Sequence, residues 1–90
     1  MTGPLIHLNG TSGEDLEAQV RRVVETFNAA LNALYLAAPN ARDYYPLGED
    51  AFAVARRSHE EHVAALTAGH RRYQDILESI IDQIEERATR

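Results

Sequence analysis

The second half of the chain repeats one spacing without a break, in alternating steps of three and four residues. The positions that share this spacing are Phe52, Ala55, His59, His62, Leu66, Gly69, Tyr73, Ile76, Ile80 and Gln83. Such steps place side chains on one face of an α-helix and are typical of a coiled-coil seam. No proline follows Pro46. The pattern therefore predicts one long helix over residues 49–88, with a seam that another helix has to cover.

The first half supplies a helix that can cover this seam. Its apolar positions also follow steps of three and four: Leu16, Val20, Val23, Phe27, Leu31, Leu34 and Ala38. Thr11 and Ser12 each precede an acidic residue by three positions, which is typical of a helix N-cap. Pro39 should end the helix, because the residue before a proline is disfavoured in the α conformation. We expect this helix over residues 13–38.

Together these patterns predict an all-α fold, an antiparallel two-helix hairpin in a single domain. Residues 39–48 form the connecting loop, and residues 1–12 form an extended arm whose short apolar run, residues 5–8, packs on the helices. Gly69 lies on the seam and predicts either a kink or a close approach between backbones, since glycine in a helix costs about 1 kcal/mol relative to alanine.

The two helices are predicted to differ in length, about 38 Å against about 58 Å at 1.5 Å per residue. If they are level at the loop, residue 14 should lie opposite residues 72–76, and the end of the second helix should overhang. The overhang would carry a broad apolar face formed by Ile76, Leu77, Ile80, Ile81 and Ile84. Because exposing it would cost several kcal/mol, at about 1.5 to 3 per large side chain, we expect the arm and a second subunit to cover it. This face predicts a homo-oligomer.

The composition of the chain indicates which kinds of partner it can bind. The net charge is −5 and every basic residue is an arginine, so binding to a nucleic acid polymer is not expected. The guanidinium fork nevertheless suits a single small anion. The absence of cysteine, of a membrane-spanning run and of a basic signal-peptide start predicts a soluble, cytoplasmic protein without a membrane partner.

His59 and His62 share a face of the predicted second helix, which raises a metal site as one interpretation. The pair lacks the spacing of a zincin, and the first helix offers no inward carboxylate or histidine for a di-iron site. Two hydrogen-bonded seam histidines, or a role in binding a ligand, are the other interpretations. No nucleophile–base arrangement or phosphate loop is present, so we expect no enzyme, no metal, no cofactor and no catalytic residue.

Polar and aromatic residues gather at the predicted loop end. With the helices level at the loop, His59 should lie beside Asn28 and Leu31. One interpretation is a hydrogen-bonded corner in which Asp43 holds Arg42 or Arg56. The other is a pocket for an anionic ligand, with arginines for phosphate, tyrosines for stacking and amides for hydrogen bonds. The candidate binding residues are Asn9, Thr11, Asn28, Asn32, Arg42, Asp43, Tyr44, Tyr45, Arg56 and His59.

Two segments of the chain, residues 6–12 (IHLNGTS) and residues 39–46 (PNARDYYP), carry a resemblance. With the helix that follows, they resemble a family of short uncharacterised phage and prophage proteins. In size, charge and hairpin character the chain is also similar to phage proteins that sequester the nucleotide signals of bacterial immunity. The resemblance implies an anti-defence binding protein of the host cytoplasm, in which antiparallel association brings one subunit's arm beside another's loop.

Two hypotheses follow. The first is a small oligomeric protein that sequesters an anionic ligand, a signalling nucleotide above all, without turnover. The alternative is a structural or protein-interaction module that acts through its C-terminal apolar face.

Overall fold

The computed structural model describes residues 3–89, and these form helices and no strand. The elements are α1 (Gly13–Leu36), α2 (Ala41–Tyr44), a 3₁₀ turn (Tyr45–Leu47) and α3 (Ala51–Ala88). The prediction of an all-α chain dominated by two long helices is confirmed.

Local hydrogen bonds cap both ends of helix α1. Ser12 is the N-cap, and its hydroxyl accepts a hydrogen bond from the Asp15 amide at 3.1 Å. At the other end the Ala37 amide donates to the Ala33 and Leu34 carbonyls, both at 3.1 Å. The helix therefore stops two residues earlier than the proline alone predicts.

The segment that joins the two long helices is itself helical, where the sequence predicts a loop. The Asn40 side chain accepts a hydrogen bond from the Arg42 amide at 3.2 Å and caps α2. Pro46 lies near the start of the 3₁₀ turn, where its missing N–H costs nothing. Gly48 then reverses the chain with a φ of 111°, a conformation that favours glycine.

Contacts between α1 and α3 define their pairing. A Cβ added at Gly13 would lie 3.1 Å from Ile84 Cγ1. Further along, the Phe27 ring lies 5.9 Å from the Tyr73 ring, between centroids.

The predicted register is wrong by about ten residues, since Gly13 lies opposite Ile84 and not opposite residues 72–76. The prediction assumed that α1 and α3 are level at the loop. Instead, α2 and the 3₁₀ turn contact the first turns of α3 and occupy that end. Helix α1 is displaced toward the C-terminal end of α3, so the part of α3 beyond α1 lies at the linker.

Gln83 holds the N-terminal arm on α3. Its Oε1 accepts a hydrogen bond from the Ile6 amide at 2.9 Å, and its Nε2 donates to the Pro4 carbonyl at 2.8 Å. Arg87 adds a third bond, donating to the Ile6 carbonyl at 3.0 Å. The side-chain amide thus holds an extended segment of the chain against a helix.

The buried core is small. Among the described residues, three are buried: Leu31 at 7% exposure, Leu77 at 9% and Ile80 at 0%. Leu77 and Ile80 belong to the face predicted to contact another subunit, so that prediction is wrong for these two residues. With the register displaced, α1 and the arm cover them within one chain. Ile76, Ile81 and Ile84 are half-buried.

The molecule is long and thin, with extents of 65 × 20 × 19 Å and a radius of gyration of 19.2 Å. A compact domain of this length has a radius of gyration of about 12 Å. Among the described helices, none is both long and apolar enough to cross a bilayer.

Candidate ligand-binding corner

Two aromatic rings and one arginine meet where α2 joins α3. The Tyr44 and Phe52 ring centroids lie 6.4 Å apart with an interplanar angle of 48°. The Arg56 Cζ atom lies 5.7 Å from the Phe52 centroid, within cation–π distance. We call Tyr44, Phe52 and Arg56 the aromatic corner. It exists because Phe52 and Arg56 are four apart on α3 and therefore share a face.

The arginine of this corner is only loosely engaged. Arg56 Nε lies 3.9 Å from Glu60 Oε1, and both side chains are well exposed. Exposed ion pairs of this kind contribute about 0 to 1 kcal/mol. The Arg56 guanidinium can therefore exchange this partner for a stronger anion.

Arg42 and Asp43 lie on the preceding short helix and are both exposed. Neither is in an ion pair within 4.0 Å among the described residues. The expectation that Asp43 holds Arg42 or Arg56 is wrong, since the carboxylate beside Arg56 is Glu60. The Arg42 side chain projects from a capped helical turn, with no carboxylate fixing it.

Tyr44 and Tyr45 line two different depressions, although they are adjacent in sequence. Tyr44 borders one with Leu47, Val54 and neighbouring residues; Tyr45, which is 83% exposed, borders another with Pro46 and Phe52. Glu49 lines both depressions. An anionic group is therefore disfavoured inside either one and is better placed at the arginines outside them.

Two of the predicted binding residues on α1, Asn28 and Asn32, lie away from this corner. Phe27 contacts the stretch of α3 around Gly69 and His70, so Asn28 lies about ten residues of α3, roughly 15 Å, from His59. Asn32 lies one turn closer and is also exposed. The predicted cluster of Asn28, Asn32 and His59 is therefore wrong, for the same reason as the register.

Asn9 and Thr11 lie at the opposite end of the molecule. Both are exposed, and Asn9 belongs to a turn closed by a hydrogen bond from the Gly10 amide to the His7 carbonyl at 3.1 Å. The arm is attached to α3 at Gln83, about 46 Å along the helix from Phe52 at 1.5 Å per residue. One chain cannot bring the arm motif and the aromatic corner together.

The two seam histidines differ in their surroundings. His62 is exposed, and its Nδ1 lies 2.7 Å from the Ser58 carbonyl oxygen, within hydrogen-bond distance. His59 is half-buried. Among the described residues, no three histidine or carboxylate side chains are grouped so that they could hold a metal ion.

Sequence reasoning missed two features of the surface. Phe52 was assigned to the seam only, although its spacing of four from Arg56 could have indicated the cation–π pair. The second feature is an apolar groove along α1, closed on one side by α3. We call it the central groove, and its lining is Gln19, Arg22, Val23, Thr26, Phe27, Ala30 and Leu66.

Comparison of the chain with protein-family models, with curated proteins and with solved structures gave no match in any of the three. The resemblance to phage proteins stays a prediction, and function has to be argued from the geometry of this surface.

Proposed function

We propose that this chain is a non-catalytic binding protein that holds a small anionic ligand, best of all a nucleotide, at the aromatic corner and sequesters it. The observation that carries the proposal is the Arg56 guanidinium 5.7 Å from the Phe52 centroid, with the Tyr44 ring beside it. Rings alone would suit an apolar ligand, and arginine alone would suit any anion. Their combination suits a ligand with both a π-face and a phosphate.

The proposed division of roles follows from exposure and charge. Tyr45 supplies an open ring for a base, and Arg42 and Arg56 bind phosphate. Glu49 keeps the phosphate on the arginine side of the corner. The corner presents cations and rings and not a nucleophile beside a base, so binding proceeds without turnover. The IHLNGTS and PNARDYYP segments resemble those of short phage proteins, and the size, charge and hairpin character of the chain are the basis for proposing that it sequesters a nucleotide signal in the host cytoplasm.

We further propose that the chain works as an antiparallel hairpin within a homo-oligomer. The pairing of Gly13 with Ile84 and of Phe27 with Tyr73 supports the hairpin. The accessible surface supports assembly. It is 6838 Å², whereas a folded monomer of 10.0 kDa exposes about 5,200 Å². The chain therefore exposes about 1,600 Å² more than a compact monomer, and a second copy is the simplest partner that would cover this surface.

The second candidate is a structural or protein-interaction module. The observation in its favour is a set of large apolar side chains exposed around the linker: Tyr35, Leu36, Tyr45, Leu47 and Val54. In that case a change at exposed Leu36 would impair function, whereas a change at Arg56 would be mild. The original form of this hypothesis, with Ile80 on the working surface, has to be replaced because Ile80 is buried.

The test compares Arg56→Ala with Arg57→Ala. Both arginines are exposed on α3, but only Arg56 is in the aromatic corner. Purified protein is heated, and the released small molecules are analysed by absorbance at 260 nm and by mass spectrometry. The chain has no tryptophan, so a bound nucleotide dominates the spectrum. Titration calorimetry with a panel of linear and cyclic mono- and dinucleotides then compares the variants.

Arg56→Ala and Arg42→Ala should each weaken binding at least tenfold, since a charge-assisted hydrogen bond contributes about 1.5 to 3 kcal/mol. Arg57→Ala should bind like the unchanged protein, and all three should keep the same helical circular dichroism. Equal affinity of Arg56→Ala and Arg57→Ala would overturn the assignment of the corner.

A further inference from the structure

Three surface features lie along one side of α3. Ala55 lines the depression beside Tyr44, Gly69 receives the Phe27 ring, and Ile76 and Gln83 contact the arm. These four positions are separated by multiples of seven residues, so they share one side of a helix in a coiled coil. The linker depression, the part of α1 that packs on Gly69, and the arm therefore follow one another along this face.

Both ends of this face are apolar and uncovered. At one end, Leu5 and Leu8 are 73% and 94% exposed, although Ile6 between them is held by Gln83. At the other end, Leu47 and Val54 are 73% and 58% exposed and line the depression beside Tyr44. We call the depression with its lining the linker pocket: Tyr44, Leu47, Gly48, Glu49, Asp50, Ala51, Val54 and Ala55.

We propose that a second copy of this chain covers the face in an antiparallel, two-fold arrangement. The arm leucines Leu5 and Leu8 of each copy fill the linker pocket of the other, and the two central grooves pack against each other at the symmetry axis. This inference rests on the assembly part of the proposed function and adds to it a defined interface.

The register of the features supports one symmetry axis. Pro4 and Ile6 both bond to Gln83, so Leu5 is level with Gln83. The midpoint on α3 between Gln83 and Val54 falls at about residue 68, and a two-fold axis there exchanges arm and pocket. Leu66, which lines the central groove, is within one turn of that point. The axis that seats each arm in a pocket therefore also brings the Leu66 ends of the two central grooves together.

Charge favours the antiparallel direction. The C-terminal half of α3, residues 70–88, carries five acidic residues and three arginines, a net charge of −2, whereas the N-terminal half, residues 51–69, carries two of each and has no net charge. A parallel pair would place the two negative halves side by side, which is repulsive. The antiparallel pair places each negative half beside a half without net charge.

The excess surface is of the size that a stable dimer buries. If assembly removes the excess of about 1,600 Å² from each chain, the interface buries roughly 3,200 Å² in total. Obligate homodimers bury about 2,000 to 5,000 Å².

Cross-linking tests the arrangement, and the natural chain has no cysteine to interfere. Two single variants are prepared, Leu5→Cys and Val54→Cys, both at exposed positions. Within one chain the two thiols would be about 43 Å apart along α3, beyond the reach of a short bis-maleimide. Sedimentation at 50 µM first establishes whether each variant is a dimer.

The expected result is a covalent dimer from the re-equilibrated mixture of the two variants and none from either variant alone. A cross-link within Leu5→Cys alone would indicate a parallel pair and overturn the inference. A dimer that gives no cross-link in the mixture would also overturn it, while leaving the homo-oligomer in place. A monomer at 50 µM would overturn both.

A second pair of variants distinguishes a loss of association from a general effect of adding a charge. Val54→Asp places a charge in the linker pocket and should raise the dimer Kd at least tenfold, because an unpaired carboxylate replaces an apolar side chain that the partner's arm would bury. Leu36→Asp is the matched control, because Leu36 is exposed and does not line the pocket. Equal Kd values for the two aspartate variants would contradict the proposed interface.

Discussion

Gly69→Ala is a change in which two known effects have opposite signs. In a helix, alanine is more favourable than glycine by about 1 kcal/mol, so the exchange should stabilise α3. A Cβ at this position, however, would lie 2.7 Å from Phe27 Cζ and 2.8 Å from Phe27 Cε1. Those distances are too short, so the Phe27 ring, which also contacts Tyr73 and His70, has to shift. Such overpacking costs about 1 to 3 kcal/mol. We expect a net loss of about 0 to 2 kcal/mol.

A Phe27→Leu background tests whether the Phe27 ring is what makes Gly69→Ala destabilising. Leucine lacks the Cζ and Cε1 atoms that meet the added Cβ, so in this background Gly69→Ala should stabilise the protein by about 1 kcal/mol. The double-mutant cycle should therefore give a coupling free energy of about 1 to 3 kcal/mol. Ala68→Gly, at the exposed neighbouring position, measures the glycine penalty of this helix directly.

The assay is urea unfolding followed by circular dichroism at 222 nm. All variants are compared at one protein concentration, because the stability of an oligomer depends on it. If Gly69→Ala stabilises the natural chain by as much as Ala68→Gly destabilises it, the Phe27 ring does not restrict this position and the reasoning is refuted.

Three further predictions concern stability. Ile80→Ala should lower the free energy of unfolding by about 2 to 5 kcal/mol, because the side chain is fully buried. Val54→Ala is the control and should lower it by less than about 1 kcal/mol in dissociated protein; urea unfolding measures both. Gln83→Ala removes two hydrogen bonds to the arm and should speed hydrogen exchange of the Ile6 amide roughly tenfold or more, as read by NMR; unchanged exchange would mean that the arm is held by other contacts. Gly48→Ala forces a side chain into a φ of 111° and should lower the melting temperature by a few degrees, for a cost of about 1 to 3 kcal/mol.

The helices were predictable because their signals are local. Ser12 caps α1 through a bond to a residue three positions away, and the seam of α3 follows from spacing alone. For Gly69 the sequence predicted a kink or a close approach between backbones, and the structure instead shows a side chain packed on it. What approaches is the Phe27 ring, a detail that depends on the partner helix.

The register and the binding residues were not predictable in the same way. Helix lengths give a register only if the linker adds no length, and here α2 and the 3₁₀ turn occupy the end of α3. That displacement moved Asn28 and Asn32 away from His59 and brought Ile80 into the core. The aromatic corner includes Phe52, which was not among the predicted binding residues, and it forms because Tyr44, Phe52 and Arg56 are close in sequence.

If both proposals hold, the arm motif of one copy and the aromatic corner of the other form a single composite site. With the symmetry axis near residue 68, the end of α3 that carries the arm is level with the partner copy's linker. Asn9→Ala and Arg42→Ala should then each abolish nucleotide binding, the first through the arm and the second through the linker. Neither change should affect dimerisation, because both side chains are exposed and polar.

Mixing these two variants tests the composite site. A heterodimer of Asn9→Ala and Arg42→Ala has one site in which both residues are intact and one in which both are lost. Random exchange of subunits should therefore restore binding to about a quarter of all sites, with the affinity of the unchanged protein. Asn9→Ala mixed with Thr11→Ala is the control, because both changes are on the arm and no intact site can form. Recovery in the first mixture alone would place Asn9 and Arg42 in one site from two chains; the absence of recovery would separate the ligand site from the dimer interface.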